Sequence, residues 1–225
     1  MKIGIIGAGS VGQTFAAALA AKGHDVVIGI RKVNDEELAK PRNWAQPLNE
    51  WVKTTKAKVG TFAEAAKHGE ILFNVTSGSV SIDALNLAGV ENMNGKILVD
   101  VANPLDFSNG MPASLYPNLS NTWSLGEEIQ KHFPDVKVVK AFNTVAAAVM
   151  VDASLVKQDH DLFISGNDDA AKATVSKLAK EQFGWKHIND LGDISGSRSQ
   201  EALLHIWLRL WGVKGNPMFN LHVTA

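Results

Sequence analysis

Cysteine is absent from all 225 residues, which removes disulfides, thiolate metal sites, iron–sulfur clusters and cysteine nucleophiles together. Any redox chemistry here has to use a borrowed cofactor, and no metal site is expected. Charge of one sign is also missing: 22 lysines and arginines face 23 aspartates and glutamates, a net charge of −1. Such a balance gives no field for holding polyphosphate backbones nonspecifically, so nucleic acid is excluded as a partner. No uninterrupted apolar run approaches the roughly 18 to 20 residues that would span a bilayer. The apolar start from Ile3 runs straight into a glycine pattern instead of a small-residue cleavage site, so the expectation is a cytoplasmic protein with no membrane partner.

What is present reads as an ordinary globular chain. Apolar residues make up 45% and charged residues 20%, enough to bury a core against the chain entropy of folding. At about 150 residues per domain the length corresponds to one domain with an appendage or to two small domains. Short apolar runs alternate with helical stretches: strands are expected at Lys2 to Ile6, Asp25 to Ile30, Lys58 to Gly60, Glu70 to Val75, Lys96 to Val101 and Val136 to Lys140. Helices are expected over Ser10 to about Lys22, Phe62 to His68, Ser81 to Leu87 and Ser124 to Phe133. That alternation marks an α/β fold, a doubly wound and mostly parallel Rossmann sheet. The irregular, tryptophan-bearing stretch Val33 to Lys56 is expected to hold a short helix or two.

Beyond Asn143 the same grammar continues more sparsely. Strands are expected at Asp161 to Ser165 and Trp185 to Ile188, and helices at Ala170 to Gln182 and Gln200 to Trp211. The division is therefore residues 1–143 as the nucleotide-binding unit and 144–225 as a small C-terminal α/β extension of the sheet with covering helices.

The sharpest motif is Gly7-Ala8-Gly9-Ser10-Val11-Gly12, a G-x-G-x-x-G that follows a strand and opens a helix. Gly7 permits the tight turn, Gly9 lets backbone approach a pyrophosphate, and Gly12 allows close packing of helix on strand. At the end of the second strand an NAD site places a carboxylate about 20 residues on, to hold the ribose 2′-hydroxyl. Here Arg31-Lys32 stands in that place. Two cations where a carboxylate would repel a 2′-phosphate favour NADP(H).

Ligands in open parallel sheets lie outside the carboxyl ends of the strands, which singles out three segments. Thr76 and Ser77 are candidates for ribose or carboxamide contacts, or else cap the next helix. Asn103 and Pro104 close the fifth apolar run, and Asn143 either meets a nicotinamide amide or stabilises a turn. An alcohol or ketone dehydrogenase needs a proton carrier beside the hydride site. None of the seven histidines falls in these segments, and the single tyrosine, Tyr116, sits in a proline-bearing loop. Lys140, at a strand end, is the one candidate general acid, or else is structural. An acceptor with its own conjugated ring needs no such acid, which turns attention to flavins and deazaflavins.

With those pieces in place the chain resembles the family of NADPH-dependent oxidoreductases typified by the coenzyme F-420-dependent NADP reductase. The likeness is carried by IGIIGAGSVGQTFAAALAAKGHDVVIGIRK, ILVDVANPL, VVKAFNTV and FISGNDDAAKATVSKLA. The AFNT segment and the basic pair are also similar to the cytosolic reductase domain of the six-transmembrane metalloreductases. The resemblance implies hydride transfer between nicotinamide C4 and deazaflavin C5, commonly in a homodimer. It implies Gly7, Gly9, Ser10, Val11 and Gly12 on the pyrophosphate, Arg31 and Lys32 on the 2′-phosphate, Thr76 and Ser77 on the ribose, and Asn103, Pro104 and Asn143 near the ring. Many relatives carry serine or threonine where this chain has Gly29-Ile30, so a less strict NADP preference is expected. Trp44, Trp51, Trp207 and Trp211 either stack on a flat ring or pack in the core or a dimer interface. Three readings stay open: an NADP(H) oxidoreductase with a small-molecule flavin-like or F-420 hydride acceptor, an NADPH-dependent carbonyl or imine reductase, and a non-enzymatic NADP(H) sensor.

Overall fold

A computed structural model describes residues 1–42 and 44–224. The apolar runs become β1 (Lys2–Ile6), β2 (Asp25–Ile30), β3 (Lys58–Thr61), β4 (Ile71–Asn74) and β5 (Ile97–Asp100). A small ribbon of β6 (Leu105–Asp106) and β7 (Ser114–Leu115) intervenes before β8 (Lys137–Ala141), β9 (Asp161–Gly166) and β10 (His187–Asp190). Apart from that ribbon the strands form one sheet in the order β10-β9-β8-β5-β4-β1-β2-β3. The winding direction reverses between β1 and β4, which opens a crevice at their carboxyl ends.

All neighbours in this sheet are parallel except β8 and β9, which pair antiparallel with Lys140 opposite Ser165. The reason is local. The link between them carries α8 (Ala147–Val151), a helix of five residues that is too short to return the chain along the sheet for a parallel strand. The longer α9 (Asp169–Phe183) makes that crossover, and β10 lies parallel to β9. Asp168 caps α9 by accepting from the Ala171 amide at 2.8 Å, and Gly184 ends it at a left-handed φ of 78°. Trp185, expected to begin the last strand, instead lies buried before it and donates its indole N–H to the Met150 carbonyl at 3.1 Å.

Successive strand residues point to opposite faces, and both faces are covered. Ile3, Ile5 and Phe73 join Phe15 and Leu19 of α1 (Ser10–Ala21) on one side. Ile6, Leu72 and Leu98 join α4 (Phe62–His68), α5 (Ser81–Ala88) and α7 (Leu125–His132) on the other. Between β2 and β3 run the short helices α2 (Asp35–Ala39) and α3 (Leu48–Trp51), and α6 (Val90–Met93) follows α5. Among the described residues no helix is long and apolar enough to cross a membrane.

The last helix, α10 (Ser197–Lys214), crosses the carboxyl ends of the strands and is anchored by charge. Lys140 of β8 is fully buried, with its ammonium 2.9 Å from Asp100 of β5 and 2.7 Å from Glu201 of α10. Glu201 in turn accepts the Leu125 and Gly126 amides at 2.9 and 3.1 Å, at the start of α7. Burial alone would drive the Lys140 ammonium toward neutrality, but the two carboxylates outweigh it and hold its pKa above the ordinary lysine range. The residue is thus a structural cation joining two strands and two helices.

Replacing Lys140 with methionine strands two buried carboxylates, and we expect a loss of about 3–5 kcal/mol. Differential scanning calorimetry should read a melting temperature lower by about 2–4 °C per kcal/mol for a chain of this length. Because its folded pKa is raised, the Lys140 contribution is complete below the ordinary lysine value of 10.5 and disappears only as pH climbs past the higher folded value. An unchanged melting temperature would contradict this role.

Candidate functional site

The G-x-G-x-x-G turn leaves β1 at Gly7, whose φ of +115° is open to glycine and strained for other residues. Gly12 packs so tightly on the turn that a Cβ there would stand 2.1 Å from the Gly7 carbonyl oxygen. Gly9 differs: a Cβ at Gly9 would meet nothing within 4 Å, so the space beyond it is free. As the N-cap of α1 it offers no side chain to the first-turn amides, and that turn carries no acidic residue. A twelve-residue helix therefore starts with open N–H groups facing unfilled space, the arrangement that binds diphosphate.

Beside this turn, at the carboxyl end of β2, Arg31 and Lys32 line a basin of about 460 Å³ together with Lys40 and Arg42. Arg31 and Lys32 are exposed, and neither forms an ion pair among the described residues. Arg42 donates through Nη2 to the Glu37 carbonyl at 3.1 Å, while its Nε is buried without a partner among the described residues. Glu36 and Glu37 also line the basin, but cations dominate, as a phosphorylated ribose requires. Lys40 and Arg42 were not among the sequence candidates. The only signal for them is a basic pair flanking Pro41 in a stretch without periodicity.

From Gly9, Ser10 and Val11 a second cavity of about 610 Å³ runs across the strand ends to α10. Thr76, Ser77, Asn103 and Asn143 line it. Their polar groups are partly committed. The Thr76 hydroxyl donates to Asn74 Oδ1 at 2.7 Å, and Ser77 stays exposed. Asn103 and Asn143 lock together: Asn143 Nδ2 donates to Asn103 Oδ1, and Asn103 Nδ2 donates to the Asn143 carbonyl, both at 2.9 Å. Asn143 Nδ2 also reaches the carbonyl of Gln200 on α10 at 3.1 Å. The carboxamide of Asn143 is therefore occupied in shaping the floor. Pro104 is buried and does not line the cavity; it lies against Gly78, where an added Cβ would come within 2.7 Å of the Pro104 Cα.

Phe142 produces this arrangement. It adopts a φ of +65°, a genuine outlier for a bulky side chain. Its fully buried ring packs edge-on against Phe15, Phe183 and Trp185, which holds the strained backbone and turns Asn143 toward Asn103.

Two expectations are corrected here. Lys140 is not a general acid at the hydride site: it has no exposure, and Asp100, Glu201 and the Ala102 carbonyl take its ammonium. Trp51 cannot stack on a ligand, since it is 5% exposed within the core on the α1 side of the sheet. The other tryptophans do reach the cavity. Trp207 and Trp211 form part of its wall while packing on each other with ring centroids 5.4 Å apart. Trp44 stands at the mouth, 91% exposed and at a left-handed φ of 60°. Leu204, Leu208, Met150 and Phe107, which add to the apolar lining, had no sequence signal beyond ordinary core periodicity.

Comparison with known proteins agrees with the fold. The family model for NADP oxidoreductase, coenzyme F420-dependent, matches residues 2–104. A crystal structure from Arthrobacter sp. FB24, provisionally named an F420-dependent NADP reductase, is 47% identical with a TM-score of 0.93 and full coverage of both chains. Metalloreductase STEAP3 of Rattus norvegicus is 29% identical over 94% of this chain, which spans 38% of that protein's length. An imine reductase from Myxococcus stipitatus in complex with NADP+ shares the fold, with a TM-score of 0.65 at 16% identity over 96% of this chain and 63% of that one.

The open space beyond Gly9 makes a clean test. Gly9→Ala should leave thermal stability within about 0.5 kcal/mol of the parent and weaken pyridine nucleotide binding at least about tenfold by titration calorimetry. A destabilised variant that still binds normally would make the glycine purely structural.

Proposed function

The chain belongs to the family of coenzyme F420-dependent NADP oxidoreductases, and on that premise we propose that it passes a hydride between NADP(H) and a flavin-like or deazaflavin ring. The observation carrying this reading is the lining of the larger cavity, in which none of the described residues is ionisable. Reduction of a carbonyl or imine calls for a positioned proton donor. A flavin or deazaflavin does not, because its ring nitrogen takes a proton from solvent after hydride arrives from nicotinamide C4.

The residues then divide the work. The open amides at the start of α1 hold the diphosphate, with Gly9 leaving room for it. Arg31 and Lys32, with Lys40 and Arg42 beside them, hold the 2′-phosphate. The locked Asn103–Asn143 pair forms a rigid floor under the nicotinamide, and the α10 wall presses the acceptor ring toward it. Rate enhancement in this scheme comes from juxtaposing two rings and excluding water.

Two measurements test it. Oxidation of NADPH against a panel of free flavins and a deazaflavin should show turnover, with kcat nearly constant across neutral pH because no protein acid titrates in the step. A profile governed by one ionising group would favour a carbonyl or imine reductase instead. The double change Arg31→Ala with Lys32→Ala should raise KM for NADPH about tenfold or more and leave KM for NADH nearly unchanged. Equal effects on the two nucleotides would reject the 2′-phosphate assignment.

A further inference from the structure

Charge is divided unevenly along the route from β2 to α10. Four cations, Arg31, Lys32, Lys40 and Arg42, gather in the basin beside the glycine turn. None of the described residues lining the chamber at the other end is ionisable. Its outer wall is the face of α10 carrying Leu204, Trp207, Leu208 and Trp211, an i, i+3, i+4, i+7 stripe. His205 and Arg209 stand on the exposed face of the same helix, and Lys214 ends it outside the lining.

Three of the four, Trp207, Leu208 and Trp211, occupy the second half of α10, toward the negative end of the helix dipole. Among the described residues no amide-bearing start of a long helix lines this end of the cavity as α1 lines the other. The mouth is aromatic and apolar instead. Phe107 and Met111 are more than half exposed at the rim, and Trp44 keeps its ring in solvent at a left-handed backbone angle that L-residues ordinarily avoid. Keeping a large ring so exposed on a strained backbone gives no folding benefit; its position suits stacking against a flat ligand.

We propose that the acceptor chamber selects an uncharged, planar heteroaromatic ring and provides no site for an anionic tail attached to it. This inference rests on the hydride-transfer reading and adds what the acceptor must be: recognition ends at the ring. A phosphate or carboxylate carried on the acceptor's side chain stays in solvent and contributes nothing to affinity. Flavins and deazaflavins that share a ring but differ in tail charge are therefore bound alike.

The test uses the intact protein saturated with NADP+. Flavin fluorescence anisotropy is titrated with riboflavin and with flavin mononucleotide, at about 20 mM and about 300 mM salt, conditions that change the screening length severalfold. The expected result is that flavin mononucleotide binds no more than about threefold tighter than riboflavin at either salt. A larger advantage for the phosphorylated ligand that collapses at high salt would overturn the proposal by revealing a cationic tail site. Failure of either ring to bind would overturn it as well. The outcome is separable from that of the hydride-transfer reading. Riboflavin that binds but is not reduced by NADPH would reject that reading and leave this one standing, whereas rapid reduction with strong preference for the phosphorylated tail would do the opposite.

Discussion

The buried ammonium of Lys140 holds together parts of the chain that have little else in common. It joins Asp100 on β5 and Glu201 on α10 across distances of 2.9 and 2.7 Å, and Glu201 passes the connection to the first amides of α7. A second tie runs alongside, with Arg198 of α10 donating in a fork to Glu127 of α7. Remove this ionic joint and α10 would be left with its apolar contacts and the uncharged hydrogen bonds of Gln200. The cavity wall exists because α10 is held across the strand ends, so a charge far inside the protein sets the shape of a cavity that has no ionisable group among the described residues lining it.

That division runs through the whole molecule. Buried charge is spent on architecture, exposed cations cluster where phosphates are expected, and the space between is closed by neutral amides and aromatic rings. For the proposed hydride shift, a cavity lined among the described residues by no ionisable group places no competing ion beside either ring. Gln200, next to Glu201, reinforces the same logic. It donates to the Phe163 carbonyl at 3.0 Å and offers its own carbonyl to Asn143, binding the cavity floor to the helix that forms its wall.

Much of the sheet was legible in the sequence because each strand is an apolar run buried on both faces, and the glycine turn because Gly7 and Gly12 answer steric demands local to a dozen residues. The basic pair at Arg31 was legible for the same reason, being adjacent in sequence. Lys140 stood open between an acid and a structural cation since VVKAF shows a lysine at a strand end but not the carboxylate waiting 61 residues later on α10. Its partner can be found only through the fold. Lys40 and Arg42 were hidden by the irregular crossover, where no period announces which way a side chain turns. The stripe Leu204, Trp207, Leu208, Trp211 announced a buried helix face; nothing in its spacing says that part of that face covers a cavity instead of a core.

On the proposed reading, one route, from the basin at Arg31 over the turn at Gly9 to the wall at Trp207, holds a single extended dinucleotide with its reactive ring beneath α10. A crystal structure of the protein with NADP+ tests this most directly. The expected complex has the 2′-phosphate between Arg31 and Lys32, the diphosphate on the amides of Ser10 and Val11, and the nicotinamide over the Asn103–Asn143 pair with one face open toward Trp207. A nucleotide lying elsewhere, or a nicotinamide turned away from α10 into solvent, would contradict it.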